Sequence, residues 1–178
     1  MIRALMICSV VCVGFSFSAF GNDKHDHAPN AATNAGLEKM KKLAGTWVAA
    51  DKDGKPTDEV VSVIKLTAGG SVVHETLFPG QPHEMVSIYM ADGSDLVMTH
   101  YCMLGNQPRM KAKTKSLGNT LNFEFAGGTN LDPQKDKHMH SAILTFGDDD
   151  HIEMEGTGWE NGKPSQEMCN GMKLVRKK

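Results

Sequence analysis

Thr99-His100-Tyr101-Cys102-Met103-Leu104-Gly105-Asn106-Gln107-Pro108-Arg109-Met110 reads as the end of one strand, a tight turn and the start of the next strand. Before the turn, Leu96, Met98, His100 and Cys102 fall on every second position and share one face. After it, Met110, Ala112 and Thr114 alternate with Arg109, Lys111, Lys113 and Lys115. A period of two is the strand period, since successive side chains point to opposite faces of a sheet. Gly105-Asn106-Gln107-Pro108 supplies the backbone freedom and the fixed φ that turns use, so the two strands are expected to form an antiparallel hairpin.

The same grammar repeats outward in both directions. Turn signals at Asp53-Gly54, Gly69-Gly70, Pro79-Gly80, Asp92-Gly93, Gly118-Asn119, Gly127-Gly128, Asp148-Asp149-Asp150 and Asn161-Gly162 cut the chain into short segments. The predicted strands are 44–50, 58–67, 71–78, 84–91, 95–102, 109–116, 120–126, 138–146, 151–159 and 167–176. Leu121, Phe123 and Phe125 make one apolar face, and Ile152 and Met154 make another before Gly156 and Gly158. No strand precedes a long helix, which argues against parallel βαβ units. Leu37, Met40 and Leu43 recur at helical spacing among charged residues, giving a short amphipathic helix over 36–43. The expected fold is all-β: an antiparallel up-and-down β-barrel of about ten strands with a short N-terminal helix.

Ahead of that helix, Met1-Ile2-Arg3 and the apolar run from Ala4 to Phe20 have the layout of a secretory signal peptide. The predicted organisation is a signal peptide over 1–21, a polar flexible linker over 22–35 and the barrel over 36–178, in a protein exported to the periplasm or the extracellular space. Removing the leader takes Arg3 and no acid, moving the formal charge from −2 to −3, so no basic excess points to nucleic acid. Once the leader is gone, no apolar run is long enough to span a bilayer as a helix. Cys8 and Cys12 leave with it. Cys102 and Cys169 stay, and two cysteines in an oxidising compartment suggest one disulfide, worth roughly 4 kcal/mol on the chain-entropy argument.

Gly45-Thr46-Trp47 after the opening helix, followed by repeated hairpins and a final Leu174-Val175-Arg176, resembles the lipocalin-like barrels of the calycin superfamily. The resemblance implies that Trp47 packs under the Arg176 cation and closes one end of a barrel, a structural signature without ligand information. It also implies a haem possibility, because some similar barrels hold haem through one histidine. Here His100 is the candidate. The stretch 99–110 is similar to one in uncharacterised exported bacterial proteins, which implies no activity.

Several side chains carry possible chemistry. His100 and Cys102 at i and i+2 share a face, where an imidazole can activate a thiol, the alternative being that Cys102 is held in the disulfide. His138 and His140 share the same spacing, and with His74, His83, His100, His151 and ten mature methionines they suggest a copper or zinc site. His25 and His27 fall in the linker and are read as incidental. The alternative for the pair is a solvated strand start, and neither Cys-x-x-Cys nor His-Glu-x-x-His occurs. Glu75 and Glu84 face each other across a hairpin on this reading and are candidates for acid and base, so an enzyme would draw on His100, Cys102 or Glu84. The stripe Arg109, Lys111, Lys113, Lys115 is read as a solvated outer face.

What remains is the interior. Met85 or Val86, Met98, Met110, Phe123, Phe125, Met139 and Met154 offer an adaptable apolar lining, with polar points at His100 and at Tyr89 or Tyr101. The function expected from it is binding of a small apolar or amphipathic molecule, with no cofactor expected. A filled core is the competing reading.

Overall fold

The computed structural model describes residues 34–113 and 118–178, with the side chains of 166–170 outside the description. The expected leader over 1–21, nearly all of the linker, Thr114, Lys115 and the Cys169 side chain therefore lie outside the described residues.

Alternation and turn chemistry produce ten strands: β1 (Gly45–Ala50), β2 (Pro56–Thr67), β3 (Val72–Leu77), β4 (Met85–Asp92), β5 (Asp95–Tyr101), β6 (Gln107–Lys113), β7 (Thr120–Thr129), β8 (His138–Phe146), β9 (His151–Glu160) and β10 (Lys163–Arg176). Each pairs antiparallel with the next, and β10 returns to β1, so the sheet is a closed barrel. Closure gives every strand two hydrogen-bonded neighbours and leaves no edge. The turns follow from their residues. Between Glu160 and its partner Lys163, Asn161 and Gly162 both take positive φ (53° and 69°), the two-residue turn that Asn-Gly favours in hairpins.

Helix α1 (Ala35–Lys42) lies one residue earlier than the 36–43 expected. Asn34 fixes its start in two ways. Its Oδ1 accepts from the Leu37 backbone N–H at 3.0 Å, and its Nδ2 donates to the carbonyls of Gly93 and Asp95 at 3.2 and 2.9 Å. The first contact caps the helix, and the other two tie it to the β4–β5 turn. Leu37, Met40 and Leu43 then bury against the core as an apolar plug. The helix thus marks one end of the barrel, shared by the β2–β3, β4–β5 and β8–β9 turns. The remaining described turns lie at the opposite rim.

Beside the plug, Trp47 is fully buried, its indole N–H donating to the Leu43 carbonyl at 2.8 Å. The Arg176 guanidinium lies over the indole at 4.4 Å from the ring centroid. Its N–H groups donate to the carbonyls of Ala44, Lys42 and Asp149 at 2.8, 3.0 and 2.9 Å, while Trp47 and Arg176 are direct partners in the β1–β10 register. Two of those carbonyls belong to the end of α1 and the residues after it, so one cation fastens the helix end, the first strand and the last. Gly45 is required there: its φ is +141° and an added Cβ would sit 2.9 Å from Arg176 Nη1.

The core follows the alternation read from the sequence. Leu96 and Met98 face inward on β5, Met110 and Ala112 on β6, Leu121 and Phe123 on β7, and Ile152 on β9. Arg109 and Lys113 face outward, and Lys111 pairs with Asp92 at 2.8 Å.

One expectation is corrected here. Cys102 is a free thiol, so the Cys102–Cys169 disulfide is not formed. The ring order supplies the reason, since four strands separate β5 from β10 in either direction around the barrel. A bond that needs Cα atoms within about 7 Å does not suit residues from opposite walls.

Candidate functional site

In the half of the barrel away from α1 the inward side chains leave a cavity of about 210 Å³. Leu77, Phe78, Phe123 and Leu144 wall it with hydrocarbon, and Met85, Met98, Met139, Met154 and Met172 bring five thioethers to it. Gly156 also borders the cavity, with Met139 Cε 3.5 Å from where a Cβ would stand. The lining is soft and polarisable, the kind that adapts to an irregular apolar body.

One wall is polar. Glu75 on β3 is paired in register with Ser87 on β4, and Ser87 with His100 on β5, so alternation brings all three to the inner face side by side. Ser62 on β2 and Tyr89 on β4 complete the group, and all five residues are buried. The Glu75 carboxyl accepts from Ser62 Oγ at 2.7 Å and from the Tyr89 hydroxyl at 2.6 Å. Ser87 Oγ lies 3.0 Å from His100 Nδ1. Two hydrogen-bonded groups therefore stand side by side across four strands, Ser62–Glu75–Tyr89 and Ser87–His100.

Burial governs the charge of these groups. Loss of hydration raises the Glu75 carboxyl above its ordinary range, partly opposed by the hydrogen bonds from Ser62 and Tyr89. Burial, with the neighbouring Glu75 charge, raises the Tyr89 phenol well above its ordinary value. For His100, loss of hydration pulls the imidazole down to about 4. Desolvation thus opposes charge on all three.

The structure sorts the candidates read from the sequence. Met98, Tyr89, His100, Phe123 and Met154 line the cavity, as does Met85 in preference to Val86. Met110 is fully buried in the core cluster beside it and does not border the empty space. Tyr101 is half exposed on the outer face, which leaves Tyr89 as the interior tyrosine. Phe125 does not border the cavity either. It stacks on His140 at 4.6 Å, and His140 stacks in turn on Trp159 at 3.8 Å.

That ring stack explains the histidine pair. His138 is fully buried; its Nδ1 lies 2.7 Å from the Asp136 carbonyl and its Nε2 lies 3.0 Å from His140 Nδ1. Both His138 nitrogens are engaged, so the pair does not present two free lone pairs to a metal. Burial and the His138 neighbour hold His140 below the ordinary imidazole range. Among the described residues no three His, Cys, Asp or Glu side chains are grouped as a metal would need. A haem macrocycle is larger than the cavity that His100 borders. Neither expectation finds a fitting site in these residues.

The two carboxylates are separated. Glu75 is inside, while Glu84 is exposed and accepts from the Gly80 backbone N–H, so they do not form an acid–base pair. Cys102 lines the cavity mouth with its sulfur 4.0 Å from that of Met85, and no hydrogen bond joins it to His100. A second depression of about 350 Å³ runs over β8, β9 and β10, where Glu153 and Lys173 neutralise each other at 3.1 Å.

Ser62, Glu75 and Ser87 were not anticipated as parts of one group. The signal for Glu75 was present, since Val73, Glu75 and Leu77 share a parity and all three are buried on β3. No protein-family profile matches the chain, and no curated protein is significantly similar to it.

Proposed function

We propose that this protein binds a small amphipathic molecule inside the barrel, its apolar body among the methionines and its polar end against the wall of Tyr89, Ser87 and His100. The observation that carries this reading is an apolar cavity of about 210 Å³ with one convergent polar wall. Binding sites are commonly built this way, from apolar lining and a few placed polar groups. The volume is below the ~300–1,000 Å³ usual for drug-sized ligands, which points to a small guest. The layout of Gly45, Trp47 and Arg176 supports a lipocalin-like relationship, and the N-terminal sequence supports export to the periplasm or beyond. A carrier or sensor of a small molecule fits that setting better than an enzyme, because among the described residues no nucleophile in the cavity is paired with both a base and an oxyanion donor.

The test is titration with N-phenyl-1-naphthylamine, a neutral probe that fluoresces in apolar surroundings. The expected result is a saturable one-to-one rise, lost in Ala142→Phe, which fills the cavity from β8. No saturable rise, or a rise that Ala142→Phe leaves unchanged, overturns the proposal.

A further inference from the structure

The histidine pair on β8 is closed to a metal, but a different set of donors is not. Sulfur is plentiful in the cavity lining, and two of its atoms stand as a pair. Cys102 Sγ lies 4.0 Å from Met85 Sδ at the mouth of the cavity. Two ligands held at roughly 2.3 Å by one three-coordinate ion stand about 4.0 Å apart, so the pair has the spacing that two ligands of one metal take. The main chain keeps Cys102 in place. Its N–H donates to the Asn106 carbonyl at 3.1 Å, and its carbonyl accepts from the Gly105 N–H at 3.0 Å. Asn106 is itself buried, with Nδ2 donating to the Lys137 carbonyl at 2.9 Å, so the turn after β5 is tied to the loop between β7 and β8.

His100 is a second, independent pointer. It is buried and lines the same cavity, two residues before Cys102 on the inward row of β5. Ser87 Oγ engages Nδ1, and among the described residues no hydrogen-bond partner meets Nε2. A neutral imidazole can carry its proton on either nitrogen. An ion at Nε2 selects the form protonated on Nδ1, whose N–H the Ser87 hydroxyl oxygen can accept. Metal-bound histidines are commonly held this way by their second nitrogen.

Charge and softness name the ion. Among the described residues the lining holds neither lysine nor arginine, and its one acid, Glu155, is exposed on the far wall. A lone thiolate or a lone dication would be desolvated there without a counterion. A thiolate with a monovalent ion is neutral. Thiolate and thioether are soft donors that select copper(I), whereas zinc(II) takes thiolate, imidazole and carboxylate and would leave this site positively charged.

We propose that Cys102, Met85 and His100 form a copper(I) site at the mouth of the cavity. The Cys102 thiol gives its proton to solvent, and its thiolate, the Met85 thioether and the His100 Nε2 lone pair coordinate the ion. Copper stays in the +1 state and no electron is transferred. The proposal stands apart from the binding of an amphipathic guest and does not rest on it.

The experiment uses the full chain carrying Cys8→Ser, Cys12→Ser and Cys169→Ser, in which Cys102 is the remaining thiol. Its methionine methyls are labelled with carbon-13 and its histidines with nitrogen-15. Copper(I), kept reduced with ascorbate in the absence of oxygen, is titrated at neutral pH in competition with bicinchoninate. The expected result is one-to-one retention of copper by the protein, with shifts of the Met85 methyl and of His100 Nε2. Losing a mere outer partner of a metal ligand costs ~10–100-fold in affinity, so Cys102→Ser should weaken retention about a hundredfold or more and Met85→Leu about tenfold or more. Zinc(II) should leave the Met85 methyl unmoved.

Complete transfer of copper to bicinchoninate overturns the proposal. Retention without a Met85 shift, or retention unchanged in both variants, overturns it as well and assigns the copper to adventitious donors elsewhere in the chain. Zinc(II) retained as tightly as copper(I), with the same Met85 shift, overturns the choice of ion. Where a variant does not fold, the Met85 and His100 shifts of the unvaried site decide. The naphthylamine titration, run on metal-free protein, judges the guest-binding reading separately.

Discussion

Replacing His100 with asparagine should remove an acid sensitivity that the fold carries. Asparagine keeps a polar amide near the position of Nδ1 for Ser87 and cannot titrate. In the barrel the imidazole is 3% exposed and its pKa is drawn down to about 4, against an ordinary 6.5. Below the ordinary value the unfolded chain takes up a proton that the folded barrel refuses, so stability is lost as the pH falls toward 4. Integrating that difference from about pH 7 to about pH 5 gives a loss of about 2 kcal/mol. Glu75 acts in the opposite sense. Its raised pKa contributes stability that is present in acid and lost as pH rises through the folded value. Both proteins keep Glu75, so the comparison between them largely isolates the histidine. The assay is urea unfolding of the parent and His100→Asn at the two pH values. The stability difference between them should shift by about 2 kcal/mol in favour of the variant on acidification. A shift under about 0.5 kcal/mol would mean that His100 is solvated in the folded protein and that the polar wall is drawn wrongly.

Three further outcomes are expected. Arg176→Lys keeps the charge but loses the fork that holds the Ala44, Lys42 and Asp149 carbonyls, and should cost about 2 kcal/mol in chemical denaturation; a cost near zero would show the clasp to be ornamental. Gly45→Ala puts a Cβ against Arg176 Nη1 at a backbone angle reserved for glycine, so it should lower thermal stability by about 1–3 kcal/mol, and a melting temperature equal to the parent's would contradict this. Because Cys102 is free, a reducing agent should leave the melting temperature unchanged and Cys102→Ser should cost less than about 1 kcal/mol, whereas a loss of about 2–5 kcal/mol on reduction would restore the disulfide.

Much of the architecture was legible because its determinants are local. Turn residues and period-two alternation placed all ten strands, and the Trp47 and Arg176 pairing followed from one motif near each end of the sequence. The misses have physical causes. Glu75 was grouped with Glu84 by residue type, although its parity with Val73 and Leu77 placed it inside. His138 and His140 were treated as simple i, i+2 neighbours, but the β8–β9 register shifts between Met139 and Ser141. Such a bulge breaks the alternation rule and leaves no mark in residue order. The Cys102 pairing depended on distance across the ring, which composition does not encode. The polar wall is of the same kind, since Ser62, Glu75, Ser87 and His100 become neighbours through the registers of four strands.

The seam between β1 and β10 also sets a timetable. Arg176 and Ala44, joined there by a hydrogen bond, are 132 residues apart in sequence. Hairpins such as β4–β5 can zip as soon as they are made, but β1 cannot gain its second neighbour until β10 exists. Contacts so distant in sequence are formed late and slow the reaction. During synthesis the first strand therefore waits with one flank bare and its tryptophan uncovered, which is the interval when the nascent chain is most exposed to mispairing and to capture by chaperones.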